Sequence, residues 1–245
     1  MLAVDILGVM VDVLTWPTML EQVSMAIHDS DRITIAYANV HVLNTSRRDA
    51  PLQAFLNTTE LCYCDGNGVV LGARLLGHDL PGRMTGADWI WDLAGAAADR
   101  GWRIHWVGGE PGITAAAAAQ LCARHPTLSV TTDHGFHAKD GPENDACLAR
   151  LRAARPDIVL VGMGTPIQEH WVAANRAHMD APVVWCLGAT ADFVSGKVDR
   201  PGPDWLVDNH EWLSRLIADP KRMWRRYLLG NAAFLARIAR QRLSG

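Results

Sequence analysis

A chain of 245 residues with 49% hydrophobic and 20% charged residues has the composition of a folded globular protein with a substantial core. The net charge of −3 does not point to nucleic acid as a partner, and no apolar run approaches the roughly 20 residues of a membrane span. The five cysteines, Cys62, Cys64, Cys122, Cys147 and Cys186, include no CxxC pair, so neither a disulfide framework nor a zinc site is expected and a reducing cytoplasm is the default.

In chain order, MLAVDILGVMVDVL carries Asp5 and Asp12 and no basic stretch, and reads as strand rather than signal peptide. RITIAYANV (32–40) is β-rich and ends in a polar turn, APLQAFLNT (50–58) is helical and ELCYC (60–64) is a short strand. GADWIWDLAGAAADRG (86–101) is a helix closed by Gly101, followed by the strand RIHWVGG (103–109) and the helix PGITAAAAAQLCARHP (111–126). LSVTTDHG (128–135) is strand then turn, and NDACLARLRAARP (144–156) is a helix. DIVLVGMG (157–164) is an apolar strand, TPIQEHWVAANRAHM (165–179) a helix and PVVWCLGA (182–189) a second buried strand. Apolar runs without alternation, separated by helices, mean strands covered on both faces. The fold class is therefore α/β, a Rossmann-like, doubly wound, mainly parallel sheet. Ligands bind such sheets beyond the carboxyl ends of the strands.

A composition shift near residue 200 divides an α/β core (1–200) from a C-terminal appendage (201–245). From Glu211 to Gly245 eight Lys/Arg face two acids, a local +6 that leaves −9 on the rest of the chain. Met223, Trp224, Tyr227 and Leu228 fall on one helical face, with Arg222, Arg225 and Arg226 on the other. With Trp205 and Trp212 nearby, this basic amphipathic appendage suits an interface with anionic lipid headgroups; the competing reading is a helix packed on the domain with solvated arginines.

Several stretches carry candidate chemistry. In ELCYCDGNGVV (60–70) Asp-Gly ordinarily marks a hairpin, but a parallel sheet leaves little room for one, so Asp65 is placed at a strand end where a substrate approaches. VGMGTPIQE (161–169) joins strand to helix. It reads either as a glycine-lined phosphate site at a helix start or as a capping box with Thr165 as N-cap, Pro166 at the first helical position and Gln168 three after the cap. Both hold together if Gln168 caps while Glu169 faces the cleft. VGGEPG (107–112) is not GxGxxG, so a dinucleotide fingerprint is poorly supported. DHGFH (133–137) reads as exposed loop histidines, and DGNG (65–68) lacks the third acid and the glutamate of a calcium loop.

YCDGNGVV, GRMTGADW, DHGFHA, VLVGMGTPIQEHW, LGATADFVSGKVDR and HEWLSRLIADPKRMWRRY, in this order and spacing over nearly the whole chain, resemble the WecB/TagA/CpsF glycosyltransferases. The resemblance implies inverting transfer of a sugar, N-acetylmannosamine as leading expectation, from a UDP-sugar to a polyprenyl-diphosphate-linked saccharide at the inner membrane face. It implies Asp65 as general base, Asn39 and Gln168 as its companions, and Glu169 beside the nucleotide-sugar. It also implies substrate contacts from Arg83, Gly135, Phe136, Gly162 and Gly164, Asp192 near the uracil, and Arg215, Arg222 and Arg225 closing on the diphosphate. No cofactor and no metal are expected, since no DxD motif stands in a convincing loop. Localisation is expected to be cytoplasmic and peripheral, and self-association is left open. The chain departs from the family pattern at Tyr37, where relatives carry threonine and a bulkier phenol bears on donor choice, at Arg200-Pro201-Gly202-Pro203, and at Asn209-His210. The rival classes are a nucleotide-dependent oxidoreductase, against which the absent fingerprint argues, and a non-catalytic binder of nucleotide-sugar.

Overall fold

The structure, a computed structural model, describes residues 2–198 and 229–244. Eight strands form one sheet in the order β1-β2-β4-β3-β8-β7-β5-β6. They are β1 (Ala3–Ile6), β2 (Val9–Asp12), β3 (Ile33–Ala38), β4 (Leu61–Cys64), β5 (Arg103–Gly108), β6 (Ser129–Asp133), β7 (Ile158–Gly162) and β8 (Val183–Cys186). All pairings are parallel except β1 with β2. Strands β4, β7 and β8 are buried along their whole length, the burial that their unbroken apolar runs predict.

The N-terminal run differs from expectation. It is a hairpin rather than one strand, because Leu7 and Gly8 turn at φ 56° and 81° and Asp5 Oδ1 accepts the Gly8 N–H at 2.7 Å. Positive φ at both central residues is the twist-matched two-residue turn. Asn39 therefore follows the third strand.

The helices are α1 (Trp16–Asp29), α2 (Val40–Ser46), α3 (Ala50–Thr58), α4 (Asn67–Leu75), α5 (Gly86–Arg100), α6 (Ile113–Arg124), α7 (Gly141–Ala154), α8 (Ile167–Asn175), α9 (Thr190–Val194) and α10 (Gly230–Ser244). Of these α1, α2, α4 and α9 are additions to the sequence reading, and α7 begins three residues earlier than expected. The polar turn expected after β3 is α2, capped by Asn39 Oδ1 on Val42 N at 3.0 Å.

Right-handed crossovers place helices according to the direction in which the chain moves across the sheet. Segments moving from β3 to β4, β6 to β7 and β7 to β8 put α2, α3, α7 and α8 on one face. Segments moving from β2 to β3, β4 to β5 and β5 to β6 put α1, α5 and α6 on the other. The chain thus leaves β3 and β7 toward one face, while α9 after β8, between them, packs on α5 and α6 of the other, which opens a crevice at this carboxyl edge.

An aromatic stack underlies this edge. Trp89 lies 4.2 Å from Trp185 and 5.6 Å from Trp16, centroid to centroid, and Tyr63 meets Trp89 and Trp185 edge-on. The last helix joins the same body. Phe234 and Ile238 of α10 belong to the main core, and a Cβ on Gly72 of α4 would stand 2.7 Å from the Phe234 ring. Gln241 accepts the Leu7 N–H at 2.9 Å and donates to Asp5 O at 3.0 Å. The predicted boundary near residue 200 and the amphipathic segment at 222–228 lie outside the described residues.

Candidate active site

A cavity of about 170 Å³ opens at the carboxyl edge of the sheet. Its wall is built by Tyr37 of β3 and Asn39 beyond it, Tyr63 of β4 and Asp65 beyond it, Gly164 and Thr165 after β7, and the Leu187–Thr190 turn after β8. The start of α5 at Thr85–Ala87 completes it.

Asp65 stands where the sequence places it, past the last residue of β4. Its N–H donates to Ala38 O at 2.8 Å, so the parallel ladder runs one residue beyond the strand. Gly66 follows at φ 125° and opens α4 without a side-chain cap, so the Asp-Gly pair turns strand into helix and not into a hairpin. Asn39 Nδ2 donates to Asp65 Oδ2 at 3.2 Å, while Asn39 Oδ1 caps α2. The asparagine thus orients the carboxylate.

Gln168 and Glu169 depart from expectation. Helix α8 starts at Ile167 with Pro166 as an N-cap that makes no side-chain hydrogen bond, so the capping box does not form. The Thr165 hydroxyl instead donates to Glu169 Oε1 at 2.8 Å. Gln168 is 0% and Glu169 1% exposed, and neither lines the cavity. Gln168 Oε1 accepts the Gly188 N–H at 3.1 Å, and its Nε2 donates to Glu169 Oε1 at 2.8 Å and to the Tyr37 hydroxyl at 3.4 Å. Burial pushes the Glu169 carboxyl above the usual range, against the pull of the Gln168 and Thr165 hydrogen bonds. Glu169 Oε2 is buried without a hydrogen-bond partner among the described residues.

The remaining predicted residues divide. Gly164 lines the cavity at φ 81°, with open space where a Cβ would go. Gly162 is buried, and a Cβ there would stand 2.6 Å from Gly188 O, so the strand ends require this glycine and the cleft does not. Gly135 packs under Gly108 and Met163 and donates to Gly109 O at 2.8 Å. Phe136 is 68% exposed and, like Arg83, Gly135 and Asp192, is not part of the cavity wall. Asp192 lies 3.7 Å from Lys197 Nζ, which also pairs with Glu110 at 2.9 Å. Arg215, Arg222 and Arg225 fall outside the described residues.

The loop histidines are not exposed as expected. His134 and His137 are half-buried, with His137 edge-on to Trp171 at 6.1 Å and Nδ1 3.1 Å from His134 O. Sequence reasoning passed over Tyr63, Gly188 and Thr190 as site residues, although LGATADF carries the last two. Among the described residues no group of three or more His, Cys, Asp or Glu side chains is placed to hold a metal ion, and no helix is long and apolar enough to cross a membrane.

The model of the glycosyl transferase WecG/TagA/CpsF family matches residues 4–245. The chain is similar to the N-acetylglucosaminyldiphosphoundecaprenol N-acetyl-β-D-mannosaminyltransferases of Staphylococcus aureus strains NCTC 8325 / PS 47 and COL. Each is 26% identical over 239 residues, spanning 97% of this chain and 92% of the relative. The corresponding protein of strain MRSA252 aligns with the same identity and coverage. The chain belongs to the WecG/TagA/CpsF family of glycosyl transferases.

Proposed function

We propose that the protein transfers N-acetylmannosamine from a UDP-sugar to a polyprenyl-diphosphate-linked saccharide, with inversion at the anomeric carbon, for synthesis of a cell-surface polysaccharide. The observation that carries this reading is the Asn39–Asp65 pair, Nδ2 to Oδ2 at 3.2 Å, on the wall of a sugar-sized cleft at the strand ends. The relatives' names supply the chemistry on either side: an N-acetylglucosaminyl diphosphoundecaprenol acceptor and a β-D-mannosaminyl product. A β product from an α-linked nucleotide-sugar requires inversion, hence one in-line displacement with one general base.

In this scheme Asp65 takes the proton of the acceptor hydroxyl as the oxygen attacks the anomeric carbon. An ordinary aspartate, with a reference pKa of about 3.9, is a weak base. Its efficiency then rests on position within hydrogen-bond reach, which the Asn39 amide supplies by orienting one carboxylate oxygen. The leaving UDP carries developing negative charge. Helices α4, α6 and α8 begin beyond the carboxyl ends of their strands without side-chain caps, and the positive end of a helix dipole favours a diphosphate. Arg215, Arg222 and Arg225 are assigned the rest of that charge. The basic segment preceding α10 is assigned the contact with the inner face of the cytoplasmic membrane, where the acceptor resides.

UDP release from a panel of UDP-sugars, with a short-chain polyprenyl-diphosphate-N-acetylglucosamine acceptor in EDTA, tests the reading. Acceptor-dependent release that survives EDTA and falls about 10²–10⁴-fold in Asp65→Asn is expected, the range of a lost general base. Equal rates in the variant would remove Asp65 from the mechanism. The arginines are better tested by single substitution than by truncation at 211, which would also strip Phe234 and Ile238 from the core.

A further inference from the structure

Helix α5 begins in the cleft. Thr85, Gly86 and Ala87 stand in the cavity wall, whereas the first residues of α4, α6 and α8 do not. Apart from Asp65 and His41 the wall carries no titratable group but the two tyrosines, and no lysine or arginine among the described residues lines it. Positive potential at this wall therefore comes from the N-terminus of α5, where the aligned peptide dipoles of 15 residues sum to about half a unit charge. The acid of the first turn, Asp88, is exposed and outside the wall.

The hydroxyl at this terminus has no task within the fold. Thr85 and Asp88 have the spacing of a capping box, and Thr85 has the extended backbone of an N-cap, yet its side chain makes no capping hydrogen bond. Thr85 is 9% exposed, and among the described residues its hydroxyl has no hydrogen-bond partner. A buried polar side chain left in this way calls for a partner from outside the chain. The Thr85 carbonyl accepts from Asp88 N at 2.9 Å and Trp89 N at 3.3 Å, and Gly86, the first helical residue, has no intrahelical acceptor for its N–H. Two donors on consecutive residues thus accompany the dipole.

The terminus is also fixed in place. Met84 N–H donates to Cys64 O at 2.8 Å, which ties the segment to the end of β4 beside Asp65. A Cβ on Gly86 would collide with the Thr190 hydroxyl, which itself donates to Leu187 O at 2.9 Å. One turn on, Trp89 is stacked on Trp185 at 4.2 Å. Donors held like this meet an anion without reorganising.

We propose that the N-terminus of α5 is a phosphate subsite of the cleft, where the Thr85 hydroxyl and the Gly86 N–H hold a phosphate group of a substrate diphosphate. The inference rests on the transferase reading above, in which donor and acceptor each carry a diphosphate. The shared chemistry is that group, and its source is either the leaving diphosphate of the nucleotide-sugar or the diphosphate of the lipid-linked acceptor.

Thr85→Val replaces the hydroxyl by a methyl group in an extended backbone that valine adopts readily, and Thr85→Ser keeps a hydroxyl. Calorimetric affinities for inorganic pyrophosphate, UDP and uridine are measured in EDTA, with KM for the short-chain acceptor and a thermal melt of each protein. In Thr85→Val pyrophosphate affinity falls about tenfold or more, the worth of a hydrogen bond to a charged group, while uridine affinity holds and Thr85→Ser stays within about threefold of wild type. Because the hydroxyl does not cap α5, Tm stays within about 2 °C. A parallel loss for UDP assigns the phosphate to the donor. UDP affinity that holds while the acceptor KM rises about tenfold assigns it to the acceptor. Unchanged affinity for pyrophosphate and UDP with an unchanged acceptor KM overturns the inference and leaves the transferase reading intact. So does an equal loss for uridine, or a lowered Tm with binding intact, the result that a plain N-cap gives. A wild-type protein that neither turns over nor binds any UDP-sugar overturns the transferase reading and this assignment with it.

Discussion

Glu169→Gln probes the buried root of the cleft through the pH dependence of stability. The carboxyl is 1% exposed, and desolvation is the largest influence on it, raising its pKa above the usual carboxylate range. The folded protein therefore keeps this proton at pH values where the unfolded chain has released it. The resulting stability is complete below about pH 4.5 and is lost as pH rises through the folded-state pKa. Within that window one proton is linked to folding, so stability falls by about 1.4 kcal/mol per pH unit. A change of 1 kcal/mol moves Tm by about 2–4 °C in a protein of this size, giving about 3–6 °C per pH unit. Glutamine carries no charge to desolvate, and its carbonyl still accepts from Thr165 and Gln168. Thermal melts of both proteins from pH 4.5 to 8.5 at constant ionic strength should show the variant gaining on the wild type as pH rises, then a constant gap. A gap independent of pH, or one that closes as pH rises, would refute the reasoning.

Two further substitutions separate stability from activity. Phe234→Ala empties a ring site that is 1% exposed between α10 and α4. A loss of about 3–5 kcal/mol should lower Tm by about 10 °C, whereas an unchanged Tm would show that α10 melts apart from the body. Asn39→Asp retains a good N-cap for α2, so Tm should stay within about 3 °C. It also sets a second carboxylate against Asp65 and removes the orienting N–H, so UDP release should fall at least about tenfold; activity equal to wild type would detach Asn39 from the chemistry.

The sheet was legible where the physics is simplest. Strands β7 and β8 are covered on both faces, and their residues are apolar throughout, so no other element competes for the pattern. Helix α2 was missed because VHVLNTS is rich in β-branched residues and follows a strand directly; the signal that finds it is Asn39 as N-cap. The N-terminal hairpin was missed because Leu7 is a poor advertisement for a left-handed turn. Within the site, Asp65 follows from its position after a strand, and Asn39 from the family resemblance. Gln168 does not, because Thr165, Pro166 and Gln168 satisfy a capping-box spacing that the backbone does not use. With α8 starting one residue later, Gln168 and Glu169 are both carried inward, and motif spacing alone does not reveal which side of a first turn meets the sheet.

Asn39 shows why cleft and fold share a residue. For capping α2, Asn, Asp and Ser rank alike and Thr only slightly lower, so helix stability alone leaves the choice open. The neighbouring carboxylate narrows it. Among these four residues, only asparagine offers an acceptor oxygen to Val42 N and, from the same side chain, an amide N–H that reaches Asp65 Oδ2 at 3.2 Å. Aspartate caps but repels, and the hydroxyl of serine or threonine has one oxygen for both tasks. Strands β3 and β4 are parallel and paired in register through Ala38 and Cys64, so the residues just beyond them are neighbours by construction. The chain leaves β3 into α2 and β4 into α4, whose first turns pack together at Val40 and Gly68, and the cleft opens beyond the two strand ends. Asp65 and the Asn39 amide thus face each other because the topology places the two strand ends side by side, an arrangement that the capping of α2 does not by itself require.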